Sequence, residues 1–160
     1  MSIALKVATV RKIYESELDP IVALDGISFE IHSGEFVALM GPSGCGKSTL
    51  LHIVGAMDRP TSGEVWIEEL PIHQLPEEDL TEVRRTRVGF VFQFFYLLPT
   101  LTVEENVALP LLLAKKQNVD HEKVRQLIET VGLTHRRSAT INQLSGGEMQ
   151  RTALARAFIH

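Results

Sequence analysis

The chain has 160 residues, 44% of them hydrophobic and 22% charged, with a formal net charge of −4 and a pI near 5.9. That is an ordinary globular balance for one domain or part of one, and its acidic sign leaves no electrostatic footprint for nucleic acid or anionic lipid. The single cysteine, Cys45, excludes an internal disulfide and points to a reducing compartment.

The N-terminal segment MSIALKVATV meets a lysine too early for a signal-peptide core. Residues 27–31, ISFEI, alternate apolar and polar and predict a half-buried strand. After the turn HSG, EFVALM at 35–40 is continuously apolar beyond Glu35, the pattern of a strand buried on both faces. A glycine-rich loop follows, and KSTLLHIVGAM reads as a helix. RPTSGEVWI returns to turn and strand. PEEDLTEVRRT is a short helix whose acidic start and basic end suit the macrodipole. VGFVFQ at 88–93 predicts a second buried strand. The longest apolar run, VALPLLLA at 107–114, carries a proline and falls far short of the ~20 residues that span a bilayer. In DHEKVRQLIETVGL, Val124, Leu127, Ile128 and Val131 share one helical face, with Asp120 as N-cap and Gly132 just past the end. Strands alternating with helices predict an α/β fold with a largely parallel sheet. A soluble cytoplasmic domain is expected, with any membrane-spanning part supplied by a partner.

The segment GPSGCGKS, residues 41–48, matches G-x-x-x-x-G-K-[ST] between a predicted buried strand and a predicted helix. Gly41, Gly44 and Gly46 let the backbone curl with its amides inward, in conformations a Cβ would penalise. Those amides and the helix N-terminus form a cradle for a β-phosphate. Lys47 can reach the β- and γ-phosphates, and the Ser48 hydroxyl can ligate Mg²⁺, with Thr49 beside it. Pro42, Ser43 and Cys45 fill the variable positions, and a small thiol is simply tolerated there. The loop predicts triphosphate binding without fixing the nucleotide. There is no N-K-x-D guanine reader, and RRTR at 84–87 is better read as a solvated helix face than as a kinase lid. His32, His52, His73, His121, His135 and His160 show no short ligand spacing, so no zinc site is expected.

With LSGGE at 144–148 added, the chain resembles the ATPase subunit, or nucleotide-binding domain, of ABC transporters from about residue 5 onward. GPSGCGKST is similar to that family's Walker A loop, Gln93 to its Q-loop glutamine and LSGGEMQR to its signature motif. Tyr14 lies where the family places an aromatic that stacks on adenine. The run RRTRVGFVFQFFYLLPTLTVEENVALP is similar to the branch serving lipoprotein release, macrolide export and antimicrobial-peptide export.

The resemblance implies a P-loop NTPase (RecA-like) core with a small antiparallel β subdomain at about 1–93, and a Q-loop and helical signature subdomain at about 93–160. It implies ATP and Mg²⁺ as cofactors, with Lys47 and Gln93 catalytic and Ser48 and Gln93 on the metal. It implies that Ser145, Gly146, Gly147 and Glu148 face a nucleotide held by a second nucleotide-binding subunit in a head-to-tail dimer. Ser145 and Glu148 also form the S-x-x-E capping box, so the two roles compete for one hydroxyl. The family commonly has glutamine where Glu148 stands. Arg151 is expected to help order the turn. FFYLLP after Gln93 reads partly as core packing and partly as a groove for transmembrane permease subunits. The expected location is cytoplasmic, peripheral at the inner face of the membrane.

The family's Walker B aspartate and catalytic glutamate, and its later histidine, cannot be placed on these residues. The reading is therefore of a domain truncated before Walker B, whose strands EFVALM and VGFVF would show exposed apolar faces. Such a chain is expected to lack appreciable Mg²⁺-ATPase activity. A non-catalytic nucleotide-binding or regulatory fragment is the alternative. A soluble relative in DNA repair or translation is a third reading, without the coiled coil or second cassette those carry.

Overall fold

In a computed structural model the chain forms two compact units, Met1–Thr81 and Glu82–His160. Residues 2–17, 19–114 and 120–159 are described. The sixth histidine, His160, lies outside them.

The first unit is built on a four-stranded antiparallel sheet of order β2-β1-β3-β4. Its strands are β1 (Ile3–Tyr14), β2 (Ile21–His32), β3 (Ser62–Ile67) and the two-residue β4 (Leu70–Pro71). β1 is central, pairing Val7 with Phe29 on one side and with Val65 on the other. Helix α1 (Lys47–Val54) lies in this unit, and α2 (Glu77–Thr86) begins in it. Val7, Val10, Val65 and Ile53 are almost fully excluded from solvent.

The second unit is helical. It holds α3 (Val103–Leu113), α4 (His121–Thr130) and α5 (Gly146–Ala157). Val103, Val107, Leu111, Val124, Ile128, Leu133 and Ile159 form its core. The apolar face expected of α4 is the buried one: Val124 and Ile128 are sealed, and Leu127 and Val131 pack at the margin. Asp120 caps α4 by accepting from Lys123 N–H at 3.0 Å, and Gly132 adopts φ +70° beyond its end. Pro110 sits inside α3, so the run 107–114 is largely helical despite its proline.

Two sequence expectations are corrected. EFVALM and VGFVFQ are not strands, and the sheet of the described residues is antiparallel rather than largely parallel. A strand exists by pairing its backbone, and no neighbouring strand pairs with either segment among the described residues. The apolar exposure expected of such unpaired segments is present: Phe36 is 95% and Met40 88% exposed. β1 is an element that the sequence pattern did not announce.

Candidate functional site

The glycine-rich loop ends at Gly46, the N-cap of α1, which adopts φ 89° and ψ 4°. A Cβ there would lie 2.4 Å from Ala23 O and 2.9 Å from Leu24 Cδ2, so only glycine fits. Glycine also leaves α1 without a side-chain cap. Helices α3, α4 and α5 are instead capped by Thr102, Asp120 and Ser145. The Leu50 N–H donates to Gly46 O at 2.9 Å, closing the first turn of α1. The amides of Lys47, Ser48 and Thr49 therefore precede the helical ladder, at the positive end of the macrodipole. That is the ordinary physical form of an anion site.

Lys47 reaches back over the loop. Its Nζ donates to Gly41 O at 2.8 Å and Pro42 O at 2.6 Å, and stands 3.6 Å from Cys45 Sγ. A Cβ on Gly41 would meet Cys45 Sγ at 2.8 Å, so the exposed thiol lies against Gly41. Gly44 adopts φ 81° with open space around it. Pro42, Ser43 and Ser48 are exposed, and Thr49 is half-buried. The ammonium rests on neutral carbonyls, which are weaker partners for it than an anionic oxygen.

Tyr14, the last residue of β1, is 38% exposed but firmly held. Its hydroxyl donates to Asp58 Oδ2 at 2.9 Å, and Lys12 Nζ lies 4.8 Å from its ring centroid. Lys12 also donates to Asp58 Oδ1 at 2.6 Å and to Arg59 O at 2.8 Å. Partial burial pushes the Asp58 carboxyl up. Hydrogen bonds from Lys12, Tyr14 and the Arg59 amide, with the Lys12 charge, outweigh it and hold the pKa below the ordinary value. Asp58 follows α1 and is tied to it, its amide donating to His52 O at 3.2 Å.

In the second unit, Gln93 is exposed in a turn closed by Phe95 N–H on Phe92 O at 3.0 Å. Phe95 and Tyr96 then adopt φ 61° and 45°, two consecutive left-handed side-chain-bearing residues. The Arg156 guanidinium of α5 holds them, donating to the carbonyls of Tyr96 at 2.7 Å and of Phe95. Burial lowers the pKa of this arginine from its ordinary value. Of the run FFYLL, Phe94 and Tyr96 are largely exposed, whereas Phe95 and Leu97 are half-buried. The following turn is pinned by Asn106, fully buried in α3. Its Oδ1 accepts from Leu98 N–H at 2.8 Å, and its Nδ2 faces the carbonyls of Leu98, Leu101 and Thr102.

At the start of α5 the capping box is formed. The Ser145 hydroxyl donates to Glu148 Oε2 at 2.8 Å and accepts from Glu148 N–H at 3.4 Å, while Ser145 N–H donates to the same carboxylate at 2.8 Å. Arg136 Nε donates to Glu148 Oε1 at 2.9 Å. These donors, led by the Ser145 amide and hydroxyl and then Arg136, hold the Glu148 pKa down at about 2. The amides of Gly146 and Gly147 precede the first helical bond, Met149 N–H to Ser145 O, and both glycines are exposed. The Arg151 guanidinium stands 3.7 Å from where a Gly147 Cβ would be.

Lys12, Asp58, Asn106, Arg136 and Arg156 make these contacts, and the sequence reading missed all five. Among the described residues no group of three His, Cys, Asp or Glu side chains is placed to hold a metal ion. No helix among them is long and apolar enough to cross a membrane.

The ABC transporter family model matches residues 24–160. An ABC transporter ATP-binding protein of Thermotoga maritima is 46% identical over 98% of this chain and 68% of its own length. The ATP-binding protein LolD of the lipoprotein-releasing system of Psychrobacter arcticus is 40% identical over 99% of this chain and 71% of its own. Among solved structures, a dimeric post-hydrolysis state of the cassette MJ0796, from Methanocaldococcus jannaschii, bound to ADP and Pi superposes with a TM-score of 0.89. It is 41% identical and is covered over 69% of its length by 97% of this chain.

Proposed function

The chain belongs to the ABC transporter family, and on that premise we propose that it binds Mg²⁺-ATP through residues 41–49 to power transport. The observation that carries this is the uncapped N-terminus of α1 with Lys47 folded over its loop. The loop amides and Lys47 take the β- and γ-phosphates. Tyr14 offers its ring to the base, a contact that contributes ~1–3 kcal/mol by stacking.

A magnesium ion fits the donor set present. Mg²⁺ takes hard oxygen ligands, commonly one or two from protein with phosphates and water supplying the rest. The exposed Ser48 hydroxyl at the second position of α1 is such a ligand. When bound, the metal neutralises charge on the transferring phosphoryl group. Gln93 as a further ligand and γ-phosphate sensor rests on the resemblance, supported by its exposed amide. The start of α5, at Ser145, Gly146 and Gly147 with Glu148 closing the cap, addresses the nucleotide of a second copy in a head-to-tail dimer. The dimeric state of the similar MJ0796 cassette supports this. The exposed Phe94 and Tyr96 beside Gln93 favour docking of a permease subunit, which would hold the chain at the inner face of the membrane.

Calorimetric titration of chain 1–160 with Mg²⁺-ATP, with Lys47→Ala as control, tests the reading. Saturable binding weakened at least tenfold in the variant is expected. Equal binding by both proteins would overturn it. Retained affinity with no phosphate release would favour a non-catalytic nucleotide-binding role.

A further inference from the structure

The Lys12–Tyr14–Asp58 cluster has geometry beyond what a surface salt bridge needs. Lys12 is one of the better-covered cations of the first unit, its side chain only 13% exposed, and it makes three separate contacts with groups that order Tyr14. Its Nζ sits over one face of the ring, bonds the carboxylate that holds the ring's hydroxyl, and bonds the Arg59 carbonyl next in the chain. The phenol is thus held at its oxygen and met by a cation over one face, and the residue as a whole is 38% exposed. Asp58 is itself anchored to the C-terminal end of α1 through His52 O. The N-terminal end of the same helix is the open phosphate cradle. At 1.5 Å per residue the helix from Lys47 to His52 is a rigid spacer of about 7.5 Å between the two.

We propose that Lys12 and Asp58 are positioning residues that make Tyr14 a one-faced platform for the nucleotide base, set at a fixed distance from the phosphate cradle by α1. The proposal deepens the function proposed above and rests on Tyr14 being the base contact. Three consequences follow from the geometry. The base stacks on the face opposite Lys12, because the cation closes the other. The ring pays little ordering entropy on binding, because its hydroxyl is already held. Phosphate affinity is independent of the cluster, because the loop amides and Lys47 are built without it.

The test compares two ligands, Mg²⁺-ATP and Mg²⁺-tripolyphosphate, which shares the phosphates but has no base. Chain 1–160 and the variants Lys12→Met, Asp58→Asn and Tyr14→Phe are titrated with each. Tyr14→Phe keeps the ring and removes only its tether. The expected result is ATP affinity weakened about tenfold in Lys12→Met and Asp58→Asn, a loss of 1.4 kcal/mol, and weakened less in Tyr14→Phe. Tripolyphosphate affinity stays unchanged in all three, which also shows that they fold. Unchanged ATP affinity overturns the proposal, and so does an equal loss for both ligands, which would mark a purely structural cluster. If Lys47→Ala leaves both ligands bound as in the wild type, the phosphate-loop reading itself fails, and this inference fails with it by a distinguishable route.

Discussion

Asn106→Ala removes the buried side chain that stitches the turn after Gln93 to α3. The residue is completely excluded from solvent. Its Oδ1 accepts one bond, at 2.8 Å, and its two Nδ2 hydrogens are shared among three carbonyls at 2.9, 3.1 and 3.3 Å. Counting three effective bonds at about 1 kcal/mol net each gives a loss of about 3 kcal/mol. Asn106→Asp is nearly isosteric and keeps the acceptor for Leu98 N–H, but it turns an oxygen toward three carbonyl oxygens. Burial raises the folded pKa of such a carboxyl above its unfolded value. Its destabilisation is therefore greatest at neutral pH and shrinks as pH falls through the raised value. The assay is urea unfolding followed by far-UV ellipticity, since α3, α4 and α5 all belong to the second unit. The slope against urea should not change. An Ala variant that costs under about 1 kcal/mol would refute the accounting, set against typical core values. So would an Asp variant no worse than Ala at neutral pH.

Gly46→Ala should abolish nucleotide binding and lower stability by at least about 2 kcal/mol, because a left-handed residue costs about 1–2 kcal/mol and its Cβ also strikes Ala23 O. Gly44→Ala, with φ 81° but open surroundings, should cost only the conformational part, about 1–2 kcal/mol, and thermal melts of the pair separate the terms. Glu148, held at about 2 against an ordinary 4.5, adds stability fully present above 4.5 and lost as pH falls toward 2. Melting temperature should drop across that window in the wild type, and Glu148→Gln, which keeps a capping box, should flatten the profile. Arg156→Met should speed amide exchange across residues 93–98 while α5 keeps its protection. Arg156→Lys should rescue poorly, since an ammonium lacks the planar fork that meets two carbonyls.

Local chemistry was legible in the sequence where it was complete within a few residues. The four apolar positions of α4 at helical spacing, the Asp120 cap and the Ser145–Glu148 capping box all formed as read. The same rule was available at Thr102–Glu105, where T-x-x-E announces the start of α3. The strand expectations at 35–40 and 88–93 failed because apolar content specifies a buried strand only if a partner strand is there to pair. β1 was missed because its alternation is broken by register shifts around Thr9 and by its lysines and arginine. The positioning residues were beyond reach for a simpler reason. Lys12 meets Asp58 across 46 positions, and Arg156 meets Tyr96 across 60, contacts that one sequence without its fold does not display.

Amide hydrogen exchange across residues 41–49, with and without Mg²⁺-ATP, tests the central claim most directly. The amides of Lys47 and Ser48 lie ahead of the first helical hydrogen bond of α1 and should exchange fast in the free chain. Mg²⁺-ATP should slow them strongly in the wild type and leave them fast in Lys47→Ala. Exchange at these amides that is unchanged by saturating Mg²⁺-ATP would contradict the account of α1 as the phosphate cradle.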